Sequence, residues 1–150
     1  MKKLLLLILP AVFLAACDSK DPVDPPATYD PTPFNLNVGY FPAPDLPADN
    51  KLTVAGVQLG RMLFYEPMLS KDGSQACADC HKQPDAFSDI RQFSIGVEGL
   101  PGKRQAMAVM NLAWHHNGLF WDGRAPHVRD QALKPIQDPL EMNETLPNVV

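Results

Sequence analysis

The pentapeptide Cys77-Ala78-Asp79-Cys80-His81 constrains this chain more than any other feature. C-x-x-C-H is the attachment signature of c-type haem. Two thiols three positions apart can add to the two vinyl groups of one porphyrin. The adjacent His81 then places an imidazole under the iron, with the opposite axial position available. Other uses of the pair make different demands. A redox disulfide is expected beside a βαβ pattern, and none surrounds it. A structural zinc site needs further ligands, and no second Cys pair exists. A structural disulfide would leave His81 incidental. The expected cofactor is one covalent haem c in this chain. Cys77 and Cys80 hold it, and His81 is the axial ligand to the iron.

The third cysteine has another context. Lys2 and Lys3 precede an apolar run from Leu4 to Phe13, which ends in Leu14-Ala15-Ala16-Cys17. The run is shorter than the roughly 20 apolar residues that span a bilayer, and it fits an export signal. Its last four residues resemble a bacterial lipobox, which implies cleavage before Cys17 and lipidation of that thiol. Several acyl chains there would anchor the protein stably, where one would not. The expected location is periplasmic, on the inner or outer membrane. Haem attachment outside the cytoplasm agrees with export.

From Asp18 to Asn50 there are eight prolines and six aspartates against a single lysine. Clustered prolines exclude a helix. The expected organisation is a signal peptide over 1–16, an acidic Pro-rich tether over 17–37, and one folded domain over 38–150. The formal net charge of −4 argues against nucleic acid as a partner. Within the domain, Thr53 can cap a helix from Val54 to about Tyr65, closed by Pro67. Gly56 and Gly60, four apart, suit a close backbone approach. Gln105–Trp114 is a second helix candidate. A third runs from Pro126 to about Leu133, with Pro126 in its first turn and Pro135 as its stop. Asn143 to Val150 reads as the start of another, capped by Asn143 or Thr145. No stretch alternates with period two. The predicted class is all-α with long irregular connections, as expected when a large ligand fills the core.

The segments flanking the motif resemble the bacterial di-haem cytochrome c peroxidase family, which includes the MauG-type enzymes. Upstream, Leu59-Gly60-Arg61-Met62-Leu63-Phe64-Tyr65-Glu66-Pro67-Met68-Leu69-Ser70 looks like the family's first helix and following turn. Downstream, Phe120-Trp121-Asp122-Gly123-Arg124-Ala125, then Gln131-Ala132-Leu133, then Pro139-Leu140-Glu141-Met142 follow in the family's order. The resemblance covers about Pro44 to Val150. It implies a cytochrome c-like domain carrying the peroxidatic haem. It implies Glu141 as the distal acid/base between peroxide oxygens, Gln131 as a distal polar partner, and Trp121 as an electron relay between two haems. The implied substrate is hydrogen peroxide, and the implied donor is a small cytochrome c or cupredoxin.

Departures from the family pattern shape these expectations. Family members carry a second C-x-x-C-H domain, so the stop at Val150 reads as a truncation and a second haem is expected in a full-length protein. Where the family has R-N-x-P-[ST], this chain has Arg104-Gln105-Ala106-Met107-Ala108. Gln105 replaces an asparagine of an interdomain calcium site, which leaves calcium open. Some members block the resting iron with a His in the preceding loop. Asp89 to Arg104 contains none, which implies an open, high-spin resting iron. His115 and His116 read as exposed loop residues. Two alternatives stay beside peroxide reduction. One is MauG-type oxidation of a partner protein. The other is a mono-haem electron carrier with a Met, such as Met107, Met110 or Met142, or a His, with His115 and His116 as candidates, as second axial ligand.

Overall fold

The computed structural model describes residues 29–149 apart from residue 45. The expected signal peptide, Cys17 and the first part of the expected tether lie outside the described residues. Among those described there is no β-strand and no helix long and apolar enough to cross a membrane.

Three helices carry the fold: α1 (Val54–Phe64), α2 (Cys77–Cys80) and α3 (Val128–Gln137). The Oγ1 of Thr53 accepts the Gly56 N–H at 3.0 Å and caps α1 as expected. Tyr65 closes it, and Glu66-Pro67 opens a 3-10 turn over Pro67–Leu69, because proline cannot continue the helix. A Cβ on Gly56 would meet only the capping Thr53 hydroxyl, and Gly60 faces open space, so neither glycine marks helix–helix contact.

The tether's described end is not free. Phe34 N–H donates to Leu52 O at 3.1 Å and Val54 N–H to Thr32 O at 2.9 Å, which pairs 32–34 with 52–54. Farther on, the Phe41 ring lies 5.5 Å from that of Trp114, whose indole N–H donates to Pro42 O at 2.8 Å.

Two expected helices are corrected. Gln105–Trp114 is extended, with only a 3-10 turn at Leu112–Trp114. Its apolar residues line a ligand cavity rather than a helix face, so their spacing mimicked a helical stripe. The third helix begins two residues later than expected, after His127, and runs through Pro135 to Gln137. Proline costs the helix one N–H bond, and this near the C-terminal end the remaining turn survives. The free carbonyl of Pro135 accepts the Met142 N–H at 3.1 Å. After Asn143 the chain makes a 3-10 turn, Leu146–Asn148, with Thr145 at the cap position. The Glu144 carboxylate, not the Thr145 hydroxyl, accepts a backbone N–H there.

The core is thin. Among the described residues only Ala76, Leu119, Ala125, Ile136 and Met142 are buried apolar side chains, and α1 buries none fully. The long loops are held by polar staples instead. The largest is at Asp89, 2% exposed, whose carboxylate accepts from Arg91 Nε at 3.0 Å, Arg91 Nη2 at 2.5 Å, Arg91 N–H at 2.9 Å and Ser94 Oγ at 2.9 Å.

Candidate functional site: a haem cradle

The motif occupies one short helical turn. Asp79 Oδ2 accepts the Ala76 N–H at 2.7 Å, which caps α2, and His81 N–H returns to Cys77 O at 3.0 Å, which closes it. Both thiols are free and half-buried. Burial pushes each thiol's pKa up, so both keep their protons near neutrality.

The chain after the motif doubles back through Ala86 and Phe87, both in the left-handed region at φ 57° and 56°. Such a conformation is strained for Phe and persists only where packing enforces it. Here the Phe87 ring meets Phe64 of α1 at 6.4 Å, and Phe87 O lies 3.3 Å from His81 Nδ1. That contact selects the tautomer with Nδ1 protonated and leaves Nε2 as the metal-facing nitrogen. Burial lowers the imidazole pKa, opposed by the Phe87 and Met107 carbonyls, so the ring is neutral as a ligand must be.

Two adjoining cavities, about 400 and 780 Å³, meet at the motif. Both fall in the range of ligand and cofactor sites. Cys80, His81, Gln75, Gln131 and Glu141 line both. Trp121 and Met107 line only the first; Cys77, Met110 and Met142 line only the second. Glu141 and Gln131 therefore share the cavities with the motif. Gln131 reaches the cavities from α3. Trp121 lines a cavity wall but is 62% exposed, and its indole N–H donates to Gln105 O at 3.0 Å. His115 and His116 are exposed and line neither cavity. The loop of Ser94, Ile95 and Gly96 lines the first cavity without an imidazole.

Glu141 is fixed through its backbone. Its N–H donates to Asp138 O at 2.9 Å, and its carbonyl accepts from Val97 N–H at 2.9 Å. The next residue is held too, since Lys71 N–H donates to Met142 O at 3.0 Å. Burial raises the Glu141 carboxyl pKa, Asp138 adds to the rise, and Arg124 opposes it. A carboxyl so placed can both give and take a proton. Arg124 in turn lies 3.6 Å from the centre of the Phe120 ring and pairs with Asp122 at 2.8 Å.

These residues fit a haem. Two thiols share one helical turn, and one imidazole has its outer nitrogen engaged. The hollow beside them replaces an apolar core. Gln75 Oε1, buried without a hydrogen-bond partner, lies in the same wall. Several contributors were not foreseen from sequence: Gln75, Asp89, Ser94, Gly96 and the Phe87 carbonyl. Gln75 and Gly96 act through contacts between distant segments, whereas Asp89, Ser94 and the Phe87 carbonyl act through local contacts that leave no pattern in the sequence.

Residues 54–150 match the family model described as di-haem cytochrome c peroxidase. The methylamine utilization protein MauG of Methylophilus methylotrophus is 38% identical over 113 residues, covering 73% of this chain and 33% of that protein. Cytochrome c peroxidase Ccp of Escherichia coli is 38% identical over 117 residues, covering 77% of this chain and 24% of that protein. The crystal structure of a MauG-like protein associated with microbial copper homeostasis superposes with a TM-score of 0.70 at 36% identity, covering 77% of this chain and 34% of that one. The chain thus spans about a third or less of the length of these relatives.

Proposed function

Because the chain belongs to the di-haem cytochrome c peroxidase family, we propose that it forms the peroxidatic haem domain of an oxidoreductase that reduces hydrogen peroxide to water. The observation that carries this reading is the convergence of Cys80, His81, Gln131 and Glu141 on one cavity system. Haem held by Cys77, Cys80 and His81 would supply the redox chemistry, and each peroxide with two electrons and two protons would give two waters. The electrons would come from a small cytochrome c or cupredoxin.

The chain's own residues handle protons and position. His81 would hold the haem iron, its Nδ1 engaged by Phe87 O. Glu141 would carry a proton from one oxygen of the substrate to the other, which leaves as water. The raised pKa suits a group that is protonated and deprotonated in one turnover. Gln131 orients the peroxide or the departing water. Trp121 relays electrons. Lipid on Cys17 would tether the domain on the periplasmic face of a membrane.

Peroxide consumption with a reduced donor tests the reading. Glu141→Gln lowers turnover about 10²–10⁴-fold with haem content unchanged. An undiminished rate removes Glu141 from the mechanism.

MauG-type oxidation of a partner protein uses the same site. The 38% identity to a methylamine utilization protein MauG supports it. Partner oxidation that Trp121→Leu abolishes, with peroxide binding intact, would select this reading.

A further inference from the structure

We propose that Gly96 and its loop, Ser94–Val97, are the positioning element that sets Glu141 in the cavity. The inference rests on the reading of Glu141 as proton carrier. The loop meets the Glu141 segment through its backbone, and the next residue, Glu98, accepts from Asn143 Nδ2 at 2.8 Å. Val97 N–H donates to Glu141 O at 2.9 Å. A Cβ on Gly96 would collide with the carbonyl groups of Leu140 and Glu141. No side chain fits there, so the glycine permits the approach.

The other side of the loop is anchored to the haem-attachment turn. Gln75 Nε2 donates to Ile95 O at 2.8 Å and lies 3.5 Å from Cys80 Sγ. Ser94 Oγ donates to the buried Asp89 at 2.9 Å. The turn is closed on itself by Gly96 N–H to Leu100 O at 3.0 Å, Gly99 N–H to Gly96 O at 2.9 Å and Gly102 N–H to Ser94 O at 2.9 Å. An unbroken set of short contacts therefore runs from Cys80 through Gln75, Ile95 and Gly96 to Glu141. The loop holds the distance between the thioether side of the haem and the carboxyl.

Cyanide association with the haem-loaded ferric protein tests this without turnover. Hydrogen cyanide is neutral near pH 7 and gives its proton to a base as it binds, so its rate reports whether Glu141 is in place. Gly96→Ala slows association about tenfold or more, toward the Glu141→Gln rate, because small misplacements of a reacting group are costly. Haem content and the ferrous spectrum stay normal. Gly99→Ala is the control: it lies in the same turn at φ 72°, with open space around its Cβ. It lowers stability but leaves cyanide association unchanged. Gln75→Leu, which cuts the tie to Ile95 and adds no atom beside Glu141, slows association about threefold; this variant decides the matter if Gly96→Ala does not load haem.

A wild-type rate in Gly96→Ala or in Gln75→Leu, with Glu141→Gln slow, overturns the positioning role and leaves the Glu141 reading standing. Equal slowing by Gly96→Ala and Gly99→Ala overturns it as general loop damage. A wild-type rate in Glu141→Gln overturns the reading of Glu141 itself.

Discussion

Replacing Asp89 by Asn changes one oxygen to an NH2 group and removes one charge. In the native fold the carboxylate is 2% exposed and accepts from three groups of Arg91 and from Ser94 Oγ. Asn keeps one acceptor and turns a donor toward donors. Hydrogen bonds to a charged group are worth about 1.5–3 kcal/mol, and breaking a buried ion pair costs about 3–5 kcal/mol. The Arg91 side chain is 43% exposed, so it can rehydrate and soften the loss. We therefore expect about 2–4 kcal/mol of destabilisation. With a urea slope of about 2 kcal/mol/M, the midpoint of the haem-loaded protein falls by about 1–2 M. The pH dependence has a definite sign. The Arg91 guanidinium holds the Asp89 carboxyl well below the usual carboxylate range, outweighing burial. Its contribution is therefore complete above the unfolded Asp pKa of about 3.9 and is lost as the pH falls toward the folded value. The gap between wild type and Asp89→Asn is full at pH 6 and narrows below about pH 4. A gap under about 1 kcal/mol at pH 6, or one that widens on acidification, refutes this account of the staple.

Two other substitutions test the scaffold. Thr53→Ala removes the cap of α1 and costs about 1 kcal/mol, read from the thermal midpoint, whereas Thr53→Ser, which keeps the hydroxyl, costs little. Gly118 sits at φ 76°, where a Cβ would press on the Gly123 backbone; Gly118→Ala costs more than about 2 kcal/mol and shifts Trp121 fluorescence, because the 118–123 turn carries that indole.

The haem motif was legible in the sequence because its chemistry is local: two thiols and an imidazole within five residues. So was α1, whose cap and proline stop act within one turn. Gln105–Trp114 misled for a physical reason. Met107, Val109 and Leu112 line the ligand cavities, and residues facing a ligand look like residues facing a protein core. Pro135 misled because a proline is a stop only where more than a last turn would follow it. Gly96 could not be read at all. Its role depends on Leu140 and Glu141, more than forty residues away in sequence, and nothing in its own neighbourhood announces that contact.

The thin core bears on how such a domain acquires its stability. Among the described residues five apolar side chains are buried, which leaves little surface to expose on unfolding the unloaded chain, so its heat-capacity change and its denaturant slope are expected to be small and its melting broad. Loading with haem would convert that shallow transition into a steep one. A reversibly bound ligand would protect the fold only in proportion to its free concentration, and dilution would take the protection away. A ligand fixed by Cys77 and Cys80, as proposed, would escape mass action altogether. The domain's durability would then be set once, at maturation, and no later scarcity of haem would withdraw it.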